Sequence, residues 1–245
     1  MNEQNPNAFP ETADIETASA NYAARFAGKT GAWMLARQER IALDFLQSAN
    51  AKTILDVGGG HGQLARPMAH AGFDVTVLGS DPVCQERIAD LVSNERCKFI
   101  VGNVVQLPFP DRSFDAAVSV RLLPHCERWP SLIRELCRVA RHTVVVDYPL
   151  ASGMNTLAPW LFDAKKRLEK NTRTWRNFTH AEVRNTFQAA GFQPISRRGQ
   201  FFWPMVIHRS LKSPAISNLL EAVPGGLGIT ARFGTPVLAA FTRAQ

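Results

Sequence analysis

The residues best placed to do chemistry lie in one short run, Asp56-Val57-Gly58-Gly59-Gly60-His61-Gly62. An apolar stretch, Thr53-Ile54-Leu55 and then Val57, reads as a buried strand, and Gln63 to Ala71 reads as a helix. Glycines at 58, 60 and 62 let backbone come close to a ligand with no Cβ in the way. Free N–H groups at the start of the helix suit an anionic or polar guest. A nicotinamide loop requires G-x-G-x-x-G/A directly after the strand. Counted from Gly58, the last position falls on Gln63 and the match fails; counted from Gly60 it passes on Ala65, but two extra glycines then separate strand from motif.

An acidic residue followed by G-x-G-x-G fits better, and here the chain resembles the class I S-adenosylmethionine (SAM)-dependent methyltransferases. Leu107-Pro108-Phe109-Pro110-Asp111-Arg112-Ser113-Phe114-Asp115 is similar to that family's L-P-F-x-D-x-S-F-D segment. Tyr22-Ala23-Ala24-Arg25-Phe26 resembles the cap that closes over SAM in small-molecule members. The resemblance implies SAM as cofactor, with Asp56, Gly58, Gly59, Gly60 and Gly62 around its methionine part. It also implies Asn103 and Val104 near the adenine. The family usually ends its second strand with an acid that holds both ribose hydroxyls, and that place falls on Gly79. Asp81 is the nearest carboxylate and the candidate substitute, although it also suits a helix N-cap ahead of Pro82.

For methyl transfer the protein mainly aligns the reactants and sometimes removes a proton. His125, past the fourth strand, is the first candidate base because histidine titrates near neutrality. Tyr148 and Asp147, after the fifth strand, come second. No N-P-P-Y run stands after the fourth strand, and His125 separates Pro124 from Cys126, so the base-methylating chemistries fit poorly. No metal site is expected, since no cysteine–histidine group has zinc-ligand spacing.

The elements that must position these residues alternate strand and helix. Strands are expected at 53–57, 74–78, 98–101, 114–120 and 143–146, with a sixth opening at Phe192 to Ile195 and a seventh over Pro236 to Phe241. Helices are expected over about 32–48, 63–71, 83–92 and 129–140, and from a Thr179–Glu182 capping box to Ala190. Short connections argue for an α/β, Rossmann-like, seven-stranded and mostly parallel sheet with helices on both faces, the class I methyltransferase architecture. Residues 1–20 read as a disordered lead-in, 21–50 as the N-terminal cap helix region and 51–245 as the methyltransferase domain. Insertions on the substrate side are expected at about 150–178 and 204–232.

Composition bounds the rest. The polar, acidic start is no secretory signal, no apolar run is long enough to span a bilayer, and four cysteines without C-x-x-C suit free thiols in the cytoplasm. Residues 1–150 hold 15 Lys and Arg against 17 Asp and Glu, whereas residues 151–245 hold 13 against 4, a net of +9. Aromatics and methionines interleave with these cations, as in Trp160, Phe162, Lys165, Trp175, Arg197, Arg198, Trp203 and Arg209. An acidic acceptor with an apolar body, small or lipid-like, fits this pattern, as does peripheral contact with an anionic membrane. A nucleic acid fits less well, for want of a base-methylation motif or an appended binding module. An inactive protein on this fold is the remaining alternative, favoured by the absent acid at Gly79.

Overall fold

The computed structural model describes residues 9–152 and 175–244. Seven strands form one sheet: β1 Thr53–Val57, β2 Asp74–Gly79, β3 Lys98–Val101, β4 Phe114–Ser119, β5 Ala140–Tyr148, β6 Phe192–Phe201 and β7 Thr235–Arg243. Their order is β3-β2-β1-β4-β5-β7-β6, parallel except for β7, which runs antiparallel to both neighbours. The direction of winding reverses between β1 and β4. In open α/β sheets a ligand crevice lies at that switch point, beyond the carboxyl ends of the strands.

Alternation along each strand divides the core in two. Leu55, Val57, Ala117, Val144 and Val146 face one cluster, covered by α6 (Trp129–Val139) and α7 (His180–Ala189). Ile54, Ala116, Val118 and Val145 face the other, covered by α3 (Gly28–Ser48), α4 (Ala65–His70) and α5 (Ala89–Ser93). Near-continuous apolar strands buried on both sides are what a parallel sheet requires. The capping box is present: Thr179 Oγ1 accepts from the Glu182 N–H at 3.2 Å, and Glu182 Oε2 accepts from the Thr179 N–H at 2.8 Å. Phe178 and Val183, the expected staple, are both fully buried.

Three expectations change. The segment 83–92 is a 3-10 helix over Pro82–Ile88 followed by a short α5, so it turns more tightly than a plain α-helix. The 204–232 insertion is three helices: α8 Met205–Leu211, α9 Pro214–Gly226 and α10 Ile229–Phe233. The lead-in is not disordered where it is described: α1 (Ala13–Ala18) and α2 (Ala20–Ala24) are helical, and α1 lies on the glycine loop. Met154, Trp160, Leu161, Phe162, Lys165, Lys166 and Arg167, expected on the substrate side, lie outside the described residues.

Candidate active site

The glycine loop leaves β1 and tightens at once. Gly58 (φ 75°) and Gly62 (φ 72°) are left-handed, a region that L side chains avoid, and a 3-10 turn of Gly59–His61 lies between them. The Gly58 N–H donates to the Leu78 carbonyl at 2.8 Å, which ties the loop to the end of β2. The two middle glycines answer to the protein's own packing. A Cβ at Gly59 would fall 2.0 Å from Asp56 Oδ2, and one at Gly60 would fall 2.6 Å from the Cys84 carbonyl oxygen. Their bareness is thus required by Asp56 and Cys84, a reason the spacing alone does not reveal.

Asp56 is fully buried, and neither carboxylate oxygen has a hydrogen-bond partner. Burial pushes its carboxyl up to about 7. A buried acid without donors is costly unless a further group satisfies it. A ligand ammonium on the glycine loop is such a group, so the residues present fit the methionine end of SAM at this point. His61 is spent inside the loop: Nδ1 accepts from the Gln63 N–H at 3.1 Å, and Nε2 faces the Val120 carbonyl at 3.3 Å. Burial, aided by the Arg121 charge, lowers His61 to about 3, so the ring is neutral.

At the end of β2 one of the two roles expected of Asp81 is filled. Asp81 Oδ1 accepts from the Val83 N–H at 2.9 Å and caps the following helix, with Pro82 behind it. The cap, one of the two roles the sequence offers Asp81, is thus formed through Oδ1. Asn103 also serves its own turn, its Oδ1 accepting from the Val105 N–H at 3.0 Å, instead of standing ready to accept from an adenine amino group. Val104 is fully buried in the core cluster that holds Val57, Leu78 and Leu122.

The three candidate bases are not brought together. Asp147 is buried and held: Oδ1 accepts from the Arg121 N–H at 2.6 Å and Oδ2 from Gln38 Nε2 at 3.0 Å. Burial raises its carboxyl to about 6, against those donors. Arg121, itself at φ 64°, stacks 4.1 Å from the Phe26 ring and donates to Gln38 Oε1 at 3.2 Å. Asp147 is thus the anchor of a network joining α3, β4 and β5. Tyr148 faces the opposite side of the sheet, buried against Phe178, with its hydroxyl 3.0 Å from His180 Nδ1. Burial pushes that phenol up to about 12, which suits a packed tyrosine and not a base. His125 alone stays half-buried after β4, its ring edge-on to Trp175 at 5.2 Å.

Beside the loop, a cleft of about 540 Å³ is lined by Tyr22, Phe26, Glu39, Arg66, Arg87 and Arg121, among others; Arg121 lies on the Phe26 ring and Arg66 is paired with Asp90. Sequence reading missed Gln38, Arg121 and Asp14 because their partners stand 26 to 109 positions away. Only the position of Arg121 at the end of a strand hinted at a role. Among the described residues no group of three or more His, Cys, Asp or Glu side chains is placed to hold a metal ion.

Residues 55–146, from the middle of β1 into β5, match a family model described as a methyltransferase domain. Over that span the chain carries a methyltransferase domain similar to those of the class I SAM-dependent enzymes. It is 34% identical over 111 residues to the 24-methylenesterol C-methyltransferase 2 of Oryza sativa subsp. japonica, covering 42% of this chain and 30% of the relative. It is 37% identical over 91 residues to the 2-methyl-6-phytyl-1,4-hydroquinone methyltransferase of Synechocystis sp., covering 36% of this chain and 29% of the relative. The match thus spans about a third of the length of these curated relatives. The fold is similar to that of magnesium protoporphyrin IX methyltransferase from Synechocystis PCC 6803 with bound SAH, at TM-score 0.64 and 13% identity, over 94% of this chain and 98% of that one. The methyltransferase match ends within β5, two residues short of Tyr148, so β6, β7 and helices α7 to α10 lie outside it.

Proposed function

We propose that this protein transfers a methyl group from SAM to a small or lipid-like acceptor with an apolar body and an anionic group. The observation that carries the reading is the buried, donor-less Asp56 carboxyl beside the left-handed glycine loop, at the switch point of the sheet. Asp56 would hold the cofactor's ammonium, and Gly58, Gly59, Gly60 and Gly62 would line its methionine part. Asn103 and Val104 would flank the adenine. Bound SAM supplies an electrophilic methyl on a sulfonium sulfur, so the protein's remaining work is alignment and charge. Asp147 holds Arg121, which presents a cation over Phe26 at the cleft. His125, at the end of β4, would take the proton where the acceptor atom carries one.

The mixture of aromatics and arginines in the cleft supports an anionic, partly apolar acceptor. The two relatives above are named for a methylenesterol and a phytylhydroquinone, both largely apolar. Calorimetric titration of the full chain with SAM and SAH tests the reading. Saturable binding of both is expected, with no binding of NADH. Failure to bind either would leave an inactive protein on this fold.

The acceptor is met, in our reading, at an anionic lipid surface. Helix α9 exposes Ile216, Leu219 and Val223 in one row, continued by Leu227, at 47, 72, 66 and 70% of full exposure. Lys212 and Arg232 are exposed beside it. The one acid between Phe202 and Gln245, Glu221, is buried against His208 at 3.0 Å, so this stretch of chain exposes no carboxylate of its own. Apolar side chains next to cations fit an interfacial helix. Among the described residues no helix is long and apolar enough to cross a membrane. Sedimentation with vesicles of neutral lipid, with and without an anionic lipid, checks this: binding should need the anionic lipid and weaken with salt. Absence of binding to both, or a dimer that uses this face in analytical ultracentrifugation, would overturn it.

A further inference from the structure

The segment ahead of α2 is polar and charged, yet it is well buried. Glu11 Oε1 accepts from the Arg128 N–H at 2.7 Å. Asp14, fully buried, accepts twice from Ser80: Oδ2 from the backbone N–H at 2.6 Å and Oδ1 from the hydroxyl at 2.5 Å. Cys84 Sγ lies 3.5 Å from Oδ2. The Ala18 carbonyl accepts from Arg87 Nε. Ala13 packs on the cluster that contains Val57, Leu78, Val104 and Leu122. Residues 11–18 therefore run across the carboxyl ends of β4, β1 and β2, directly over the glycine loop.

Doubly wound nucleotide-binding folds hold an adenosine ribose with a carboxylate at the end of the second strand, about 20 residues beyond the first glycine. That residue here is Gly79, and the place is closed to any side chain. A Cβ on Gly79 would stand 2.7 Å from Cys84 Cβ and 3.0 Å from the Phe99 ring. Asp81, two residues on, is committed to the Val83 N–H. The carboxylate that does sit at this strand end belongs to Asp14, one residue beyond Gly79. Its two oxygens each accept from one of two adjacent donors, the hydrogen-bonding pattern a cis-diol presents.

We propose that Asp14 is the ribose-binding residue of this protein. The N-terminal segment supplies the carboxylate that β2 has no room for, and the ribose hydroxyls replace Ser80 as its donors. Cofactor binding and the seating of residues 11–18 then become one event. The inference rests on the SAM reading above, and the test separates the two.

SAH and an SAH analogue lacking both ribose hydroxyls are titrated calorimetrically into the full chain and into Asp14→Asn, with unfolding followed by heat in the absence of ligand. Asp14→Asn should bind SAH about 10–100-fold more weakly, the size of a charge-assisted hydrogen-bond pair, while the analogue binds parent and variant alike. Ser80→Ala, which removes a competing donor and leaves Asp14 in place, should hold or tighten SAH binding. Equal losses of both ligands would make Asp14 a strut only. Tighter SAH binding by Asp14→Asn would make the segment a plug, and weaker binding by Ser80→Ala would make Ser80 the ligand. Each of these overturns the proposal. A parent that fails to bind SAH overturns the cofactor reading itself, a result that no behaviour of the variants can mimic.

Discussion

Residues 11–18 and helix α9 invert the usual rule of burial in opposite senses. At the first, Glu11 and Asp14 are buried over the glycine loop; at the second, Leu219, Val223 and Leu227 stand in the open. Carboxylates are almost never fully buried without partners, and large apolar side chains seldom form an exposed row. Local rules are broken where a site needs something other than stability. At the N-terminal segment the inversion is satisfied internally, since Ser80 and Arg128 supply the donors. At α9 the described residues offer no such partner, and what would cover the row is a surface outside the chain. One exception completes an internal site, and the other presents an external one.

The largest effect expected falls beneath α9. Glu221 accepts from the Phe202 and Trp203 N–H groups at 2.9 and 3.0 Å and pairs with buried His208. Glu221→Ala leaves these donors unmatched and should cost about 3–5 kcal/mol, as broken buried pairs do. Chemical denaturation measures it. A cost under 1 kcal/mol would mean that the exposed row has no rigid base.

Next comes the row itself. Leu219→Glu combined with Val223→Glu should lower partition onto anionic vesicles at least about tenfold, since fully burying each apolar side chain contributes roughly 1.5–3 kcal/mol. The melting temperature should hold, because exposed positions away from packing rarely matter to stability. Unchanged partition would mean that the row is not a membrane-facing surface.

On the glycine-loop side the sharpest probe is pH. The Asp56 carboxyl is raised from its ordinary range to about 7, above its unfolded value near 4. Its contribution is therefore fully present below the unfolded value and is lost as pH rises through the folded one. Relative to the parent, Asp56→Asn should gain stability between about pH 4 and 7 and then level off. Thermal melts across that window check it. Parallel curves would mean that Asp56 is paired in solution and carries no burial cost.

The smallest effect concerns the cap. Asp81→Ala should cost about 0.5–2 kcal/mol of stability, and Asp81→Asn less, because asparagine also caps. SAH affinity should hold in both variants. A loss of affinity in Asp81→Asn would return the ribose to Asp81 and weaken the claim of Asp14.

The sheet and the loop follow from local patterns of residues. Ile54, Leu55 and Val57 repeat the apolar pattern of a strand buried on both faces, and Gly58 and Gly62 stand where the chain turns left-handed. The Thr179–Glu182 capping box likewise needs only neighbours in sequence. Such features are local, so pattern and spacing reveal them. What each site residue does was decided by tertiary structure. Asp147 and Tyr148 are adjacent, but the strand's alternation sends one to the Arg121 network and the other into the core with His180. Asp81 follows β2 as a ribose acid would, but its side chain caps the next helix. Asp14 meets Ser80 across 66 positions, and His208 meets Glu221 between two helices that no motif announces. These pairings depend on how separate elements pack against one another. Packing is a property of the whole fold, and no window of sequence contains it.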